Sequence, residues 1–331
     1  MKICVFGAGA IGGYLATHLA QVDGLSVSVI ARGEQLAAIK RNGLTVESPR
    51  KTLRGYPKAT DDPRELGVQD FVILALKSHQ VGPALDSVQA LLGPKTAVLP
   101  PTTGIPYWYF YELPGVHRNR QLERLDPQGR QWRSLSPERV IGCVYWIPAE
   151  VTSPGVIHHD GSLSRLPMGE PDGSSSARVT QLAAAMTAAG LDAPVVPDIR
   201  GWIWAKMISS LCWNPVAALT LATLTEMNGR PEIVEIVRSM MMEADEIAHR
   251  LGIGRMPLSI EQRIEAARNS GDHKMSMLQD LERGRALELD VLVDSIAATR
   301  ELANSLTPTI DSIYALLRLR ASKVALPKEY K

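Results

Sequence analysis

Three polar residues stand at helical spacing in an otherwise apolar and aromatic segment of the chain. Lys206, Ser210 and Asn214 follow one another at intervals of four residues, which places them on one stripe of a helix. Because the neighbours include Trp, Ile, Leu and Cys, we expect the ammonium group of Lys206 to be partly desolvated, which lowers its pKa. A lysine of this kind can donate a proton to a developing alkoxide. The alternative is a surface lysine whose ammonium group reaches solvent.

A second polar group occurs later in the chain. Ser276 and Asp280 share one face of a predicted helix, and Glu288 follows Gly284, where a bend or break is expected. Taken alone, Glu288 and Asp290 are more often residues of a solvated surface than members of a site.

Glycines open the chain at a spacing typical of dinucleotide binding. Gly7, Gly9 and Gly12 form G-x-G-x-x-G directly between a predicted strand and a predicted helix. The first glycine makes the turn, the second lets the backbone approach a pyrophosphate, and the third lets the helix pack on the strand. The residues predicted to bind the cofactor here are Gly7, Gly9, Ala10, Ile11 and Gly12. The alternative is a glycine-rich structural turn.

The end of the second predicted strand indicates which dinucleotide is bound. NAD sites usually place an acidic residue there for the ribose hydroxyls. This chain has Arg32 instead, and Glu34 falls two residues later. A guanidinium group suits the 2′-phosphate of NADP(H), so the sequence favours NADPH over NADH. The alternative is that Arg32 is an ordinary loop cation.

These groups need a scaffold, and the first half of the chain predicts a doubly wound, Rossmann-type α/β sheet. Apolar strand patterns alternate there with helical patterns, which is typical of parallel strands joined by right-handed crossovers. The predicted strands are 2–6, 26–30, 71–76 and 96–99, and the predicted helices are 10–20 and 81–92.

The alternation stops after residue 106. An aromatic run at 107–110 precedes a polar, Arg-rich stretch with a turn signal at 126–129. We interpret 111–139 as an inserted hairpin or flap, followed by antiparallel strands at 140–147 and 155–158. The aromatic run could line the nicotinamide pocket, cover it, form a subunit contact, or simply pack in the core.

The pattern from about residue 198 onward is helical, which predicts an all-α C-terminal domain. The predicted helices are 199–213, 215–227, 231–251, 258–269, 274–283, 287–303 and 309–322, after an earlier helix at 178–189. We therefore expect a cofactor domain over 1–195 and a helical substrate domain over 196–331.

The composition of the chain excludes several classes of function. The chain has 331 residues, 36 basic and 35 acidic side chains, and a net charge of +1, so it offers no bulk attraction to nucleic acid or to an anionic membrane. No apolar run is long enough to span a bilayer. Three widely separated cysteines suit a reducing cytoplasm. The pair His158-His159 lacks further ligands at metal spacing, so we expect it to be structural and predict no metal site.

The ordered set of motifs resembles the ketopantoate reductase (2-dehydropantoate 2-reductase) family nearly end to end. The matching segments are GAGAIGG at the N-terminus, ALKSHQ after the strand at 71–76, W-x-K followed by N-P around Lys206, and SMLQD followed by E-x-D. The resemblance implies that Lys206 is the general acid and that Glu288 is held near it. It further implies that Ser276 contacts the substrate carboxylate, that Asn214 contacts substrate, and that Lys77 assists Arg32 at the cofactor phosphate.

Two positions depart from the family pattern. The family's Q-N-G after the fifth strand is Thr102-Thr103-Gly104 here, and the asparagine usual four residues after the lysine is Ser210. We expect Thr103 to contact substrate and cofactor and Ser210 to contact substrate, through hydroxyl groups that are shorter than an amide.

The resemblance implies NADPH-dependent reduction of a 2-oxo acid, with 2-dehydropantoate to pantoate, a step of pantothenate biosynthesis, as the first candidate. Thr103 and Ser210 favour one alternative, a related NADP-dependent dehydrogenase acting on a different hydroxy acid or an amino-acid derivative. A second alternative is a regulatory protein that binds NADP(H) without turnover. We expect a small-molecule partner and a cytoplasmic location, and the apolar helical domain is compatible with a homodimer.

Overall fold

The structure, a computed structural model, describes residues 1–254, 256–285, 287 and 289–323. The described chain divides into two compact units. The first contains 1–102, 106–113 and 118–199, and the second contains 103–105, 114–117 and the described residues from 200 onward. The second unit thus includes two short segments from the first half of the chain.

A five-stranded parallel sheet forms the centre of the first unit. Its strands are β1 (Lys2–Phe6), β2 (Ser26–Ile30), β5 (Lys58–Thr60), β6 (Phe71–Leu74) and β7 (Ala97–Leu99), in the order β5-β2-β1-β6-β7. Strand β1 pairs in parallel with β2 and β6, so that Phe6 stands between Ile30 and Leu74. The sequence order reverses on passing from β1 to β6, and ligands of doubly wound sheets bind at such a point. The predicted fold class is confirmed.

Three helices follow strands of this sheet: α1 (Ala10–Leu19), α2 (Gly33–Asn42) and α3 (Ser78–Gln89). Helix α2 and the strands that follow it were not predicted from the sequence. Two of those strands, β3 (Leu44–Glu47) and β4 (Thr52–Gly55), join β9 (Ala149–Ser153) and β10 (Val156–His159) in a second sheet of order β4-β3-β10-β9. They are short, and half of their residues are polar, so they carry little periodic signal.

The predicted hairpin over 111–139 is wrong. That segment contains turns, short 3-10 helices and the helix α4 (Arg130–Leu135). The turn at 126–129 leads into α4, because the buried carboxylate of Asp126 accepts the N–H groups of Gln131 and Trp132 at 2.8 and 2.9 Å. A turn signal followed by a helix cap was mistaken for the tip of a hairpin.

The predicted antiparallel pair of 140–147 with 155–158 is also wrong. Within the first range only Gly142–Cys143 is a strand, β8, and it pairs with β11 (Met168–Gly169). Strand β10 pairs antiparallel with β9 and parallel with β3. Strand partners are set by packing over long sequence separations, which local patterns do not record.

The aromatic run packs inside the first unit. Tyr107, Trp108, Tyr109 and Phe110 are at most 3% exposed. The indole of Trp108 lies so close to Gly142 that an added Cβ there would come within 2.8 Å of it. Core packing therefore explains the run, because side chains that are so completely buried leave almost no surface for covering a pocket or contacting a second subunit.

The described part of the second unit is helical, as predicted. After α5 (Ala177–Ala188) in the first unit come α6 (Ile199–Thr220), α7 (Leu224–Asn228), α8 (Pro231–Arg250), α9 (Ile260–Arg268), α10 (Ser276–Glu282), α11 (Leu289–Ala303) and α12 (Pro308–Lys323). Among the helices described, none combines the length and apolar character needed to cross a membrane.

Helix α6 continues through Pro215, where the sequence predicts a break. A proline inside a helix removes the N–H that would bind the carbonyl four residues earlier, here that of Leu211. The buried hydroxyl of Tyr314 on α12 donates to that carbonyl at 3.1 Å. A tertiary hydrogen bond thus replaces the missing helical one.

Candidate active site

The glycine loop has the geometry that a pyrophosphate requires. Gly7 has a φ of +107°, and a Cβ at Gly12 would lie 1.9 Å from the carbonyl oxygen of Gly7, so both positions require glycine. A Cβ at Gly9 would meet nothing within 4 Å, which leaves its outer side open to a ligand. Gly9 is the N-cap of α1, without a side-chain cap and without an acidic residue in the first turn. The loop therefore fits a dinucleotide phosphate at the positive end of α1.

Two exposed cations flank this loop at the carboxyl edge of the sheet. Arg32 is the N-cap of α2, directly after β2, and Lys77 is the N-cap of α3, after β6. Since β2 and β6 are the two neighbours of β1, the structure brings both predicted phosphate-binding residues to the strand ends beside the glycine loop. Glu34 lies in the first turn of α2 rather than at the strand end.

Gln35 is a residue of this site that sequence reasoning missed. Its amide nitrogen donates to the carbonyl oxygen of Ala8 at 2.7 Å, and its amide oxygen accepts the N–H of Gly155 at 2.9 Å. The side chain thus holds the glycine loop against the second sheet. No local motif signals such a role, because Gly155 lies 120 residues away in the sequence.

Lys206, Ser210 and Asn214 lie on α6, as their spacing predicts. The side chain of Lys206 is half-buried, and burial lowers its pKa below the ordinary lysine value of 10.5. Desolvation is the physical cause, because it disfavours the charged ammonium group. Ser210 is also half-buried, whereas Asn214 is 4% exposed.

Asn214 connects α6 to the segment that contains Ser276. Its side-chain oxygen accepts the N–H of Met277 at 3.1 Å and the hydroxyl of Ser276 at 3.3 Å. Met275, the N-cap residue of α10, makes no side-chain cap, so Asn214 caps this helix from another element. The structure therefore brings together two predicted substrate-binding residues, Asn214 and Ser276.

Of the remaining predicted site residues, the structure describes Thr103 but not Glu288. Thr103 is half-buried in a short segment of the second unit, while Thr102 donates its hydroxyl to the carbonyl of Cys143 at 2.8 Å in the first. Glu288, the predicted partner of Lys206, lies outside the described residues. Its role stays a prediction.

The two adjacent histidines differ in their contacts. His159 is buried, stacks on Tyr14 with ring centroids 4.8 Å apart, and contacts the Ser164 hydroxyl through Nε2 at 2.9 Å. Its Nδ1 accepts the N–H of Gly161 at 3.1 Å. Both ring nitrogens of His159 therefore make hydrogen bonds within the first unit, which gives this residue a structural role. The neighbouring His158 is half-buried.

Comparisons with known proteins agree with this geometry. The family model described as "Ketopantoate reductase PanE/ApbA" matches residues 3–106, and the model for the C-terminal part of the same family matches 198–321. A 2-dehydropantoate 2-reductase of Mesorhizobium japonicum is 44% identical over 319 residues, which cover 96% of this chain and 97% of that protein. A 2-dehydropantoate 2-reductase of Pyrococcus horikoshii is 26% identical over 97% of this chain and 98% of its own length.

Solved structures similar to this chain also include ketopantoate reductases. A proposed ketopantoate reductase of Ralstonia solanacearum MolK2 superposes with a TM-score of 0.89 at 36% identity, covering 98% of this chain and 99% of the other. A D-mandelate dehydrogenase in complex with NADH and anilino(oxo)acetate superposes with a TM-score of 0.83 over 99% and 100% of the two chains. At 20% identity the second likeness concerns the fold alone.

Proposed function

The chain belongs to the ketopantoate reductase family and is an oxidoreductase, and from this premise we propose that it reduces 2-dehydropantoate to pantoate with NADPH, as a cytoplasmic step of pantothenate biosynthesis. The observation that carries the proposal is the polar face of α6. There a desolvated lysine stands on the same helix as an asparagine that holds Ser276. This arrangement supplies a proton donor together with hydroxyl and amide groups for a small polar substrate.

The cofactor side of the proposal rests on the first unit. The open side of Gly9 and the N-terminus of α1 suit the pyrophosphate, and Arg32 and Lys77 suit the additional phosphate of NADPH. When bound, the dinucleotide supplies the hydride; the side chains of this chain supply position and charge.

The protein's own residues then account for the proton and for substrate orientation. The Lys206 ammonium donates its proton to the substrate oxygen as that oxygen becomes an alkoxide. The Ser276 hydroxyl, which donates to the Asn214 side-chain oxygen in the structure, turns its proton to the substrate carboxylate on binding, while Asn214 still holds the first turn of α10 through the Met277 N–H. Ser210 and Thr103 contribute hydroxyl groups, and Glu288 keeps Lys206 charged and in place.

Replacement of Lys206 tests the proposal. General acid assistance is typically worth about 10²–10⁴-fold in rate, so we expect Lys206→Ala to lower kcat for 2-dehydropantoate by about that factor. The dissociation constant for NADPH should stay unchanged, because the glycine loop lies in the other unit. Lys323→Ala, an exposed lysine at the end of α12, is the matched control. Near-normal kcat in Lys206→Ala would remove this lysine from the mechanism.

The pH dependence gives a second measurement on the same group. A general acid must be protonated, so kcat for reduction should fall as pH rises through the pKa of Lys206. Because burial lowers that pKa, the alkaline decline should begin below the ordinary lysine value of 10.5. It should be absent from the residual activity of Lys206→Ala.

A dehydrogenase acting on a different hydroxy acid is the second candidate, and Thr103 and Ser210 favour it. Both hydroxyls stand where the family usually has the longer amide of asparagine. If the substrate has changed, the double substitution Thr103→Asn and Ser210→Asn should raise activity on 2-dehydropantoate. Oxidation of NADPH with a panel of 2-oxo acids decides between the two candidates.

A further inference from the structure

A buried serine holds the short segment that carries Thr103. The N–H of Ile105 donates to the hydroxyl oxygen of Ser295 at 2.9 Å, and that hydroxyl donates to the carbonyl of Val291 at 2.6 Å. Ser295 lies in the middle of α11 and is 0% exposed. Residues 103–105 and α11 belong to the same unit, so the contact is internal to it.

Gly104 lies against the same hydroxyl. Its φ is +80°, and a Cβ there would come within 2.5 Å of the Ser295 oxygen and 3.0 Å of the Val291 carbonyl oxygen. The backbone therefore approaches α11 at a distance that only glycine permits. Such a contact, combined with the Ile105 hydrogen bond, fixes the segment on the side following Thr103.

We propose that Ser295 is a positioning residue that acts on the reaction through Thr103. Both hydrogen-bonding roles of its hydroxyl are used within the protein and the side chain is fully buried, so it does not touch the substrate itself. It sets the backbone that carries the Thr103 hydroxyl. The inference rests on the proposed function in one respect, namely that Thr103 contacts the substrate.

A matched control exists one turn further along the same helix. Thr299 is also 0% exposed, and its hydroxyl donates to the carbonyls of Ser295 and Ile296 at 2.7 and 3.2 Å. Thr299→Val removes a buried hydroxyl and its bonds within α11. Ser295→Ala removes a buried hydroxyl that additionally holds the Thr103 segment.

The kinetic test measures the effect of Ser295→Ala on kcat, first with Thr103 present and then with Thr103→Ala. Because misplacement of a reacting group can cost about 10²-fold, we expect Ser295→Ala to lower kcat for 2-dehydropantoate about 10-fold. In a Thr103→Ala background the same change should cost less than about 2-fold, since the two residues act as a unit. Ser295→Cys should recover part of the activity. Thr299→Val should leave kcat close to that of the unaltered enzyme.

The inference would be overturned if Ser295→Ala lowered kcat by the same factor with Thr103 present and with Thr103→Ala. It would also be overturned if Ser295→Ala left kcat normal, or if Thr299→Val lowered kcat as much as Ser295→Ala does. Amide hydrogen exchange separates this result from failure of the proposed function. Protection of the Ile105 amide should fall in Ser295→Ala and persist in Thr299→Val. If the unaltered protein reduced no 2-oxo acid, the proposed function would fail, and unchanged Ile105 protection in Ser295→Ala would by itself overturn the positioning role.

Discussion

Arg32 is the exposed side chain that we propose distinguishes NADPH from NADH. It is exposed and stands directly after β2, where an acidic residue would favour NADH. We expect Arg32→Ala to weaken NADPH binding strongly and NADH binding little, because only NADPH carries the 2′-phosphate. Fluorescence titration of both cofactors measures the two dissociation constants.

A substitution of Gln35 serves as the comparison for Arg32→Ala. Its side chain holds the carbonyl of Ala8 in the glycine loop, which we propose binds the pyrophosphate common to both cofactors. Gln35→Ala should therefore weaken NADPH and NADH by similar factors. An equal loss of both cofactors in Arg32→Ala would contradict the assignment of Arg32 to the 2′-phosphate.

At the scale of elements, Asn214 joins α6 to the first turn of α10, and its two possible roles can be separated. Loss of a helix cap typically costs about 0.5–2 kcal/mol, so Asn214→Ala should lower the free energy of unfolding by an amount in that range. Asn214→Asp keeps an oxygen acceptor for the Met277 N–H and should retain more of the stability.

The same two variants should differ in catalysis. If the amide of Asn214 also contacts the substrate, Asn214→Asp loses a donor and adds a charge that repels the substrate carboxylate. KM for 2-dehydropantoate should then rise in the more stable variant. Thermal unfolding together with KM gives both readouts, and an unchanged KM in Asn214→Asp would restrict Asn214 to its capping role.

Pro215 and Tyr314 form a second contact between elements that can be tested by a double-mutant cycle. Tyr314→Phe leaves the buried carbonyl of Leu211 without its tertiary donor, which should cost about 1–3 kcal/mol. In a Pro215→Ala background the restored backbone N–H can bind that carbonyl, so the penalty of Tyr314→Phe should shrink. Urea unfolding of the four proteins measures the coupling, and strictly additive effects would contradict this account.

At the scale of the whole molecule, we expect two histidines to make the free energy of unfolding dependent on pH. Burial lowers the pKa of His18 and of His159 below the ordinary value of 6.5. Lys51 also lowers the pKa of His18, while the Asp160 carboxylate partly offsets the effect of burial on His159. Protonation of His159 at Nδ1 would in addition break its hydrogen bond with the N–H of Gly161.

The direction in which stability changes with pH follows from proton linkage. Below pH 6.5 the unfolded chain takes up protons at both histidines, whereas the folded protein takes them up only at lower pH, where their folded pKa values lie. Stability should therefore be highest above pH 6.5 and should fall as the pH drops through the folded pKa values. Melting temperatures measured from pH 8 to pH 5 should show this decline. A His18→Gln and His159→Gln double variant should show a flatter profile, and an unaltered profile would exclude these two residues as its cause.

Local patterns were sufficient for the parts of this protein that depend on short sequence separations. The strand β1 followed by the glycine loop is such a part, since the turn, the helix N-terminus and the close packing of Gly12 all arise within a dozen residues. The stripe of Lys206, Ser210 and Asn214 is another, because helical periodicity alone places them on one face. The alternation of apolar strands with helices likewise predicted the parallel sheet except for its edge strand β5, and the ordered motifs indicated the family.

The tertiary structure decided what depends on distant partners. Helix α6 passes through Pro215 because Tyr314 satisfies the carbonyl that proline leaves open, and that tyrosine lies 103 residues from Leu211. The segment 111–139 contains turns, two short 3-10 helices and the helix α4 instead of a hairpin, although its turn residues suit either. The long-range hydrogen bonds of Gln35, Asn214 and Ser295 also became visible only in the fold. The physical reason is common to all of them: a buried polar group must find a partner, and neither local propensity nor periodicity indicates which distant residue supplies it.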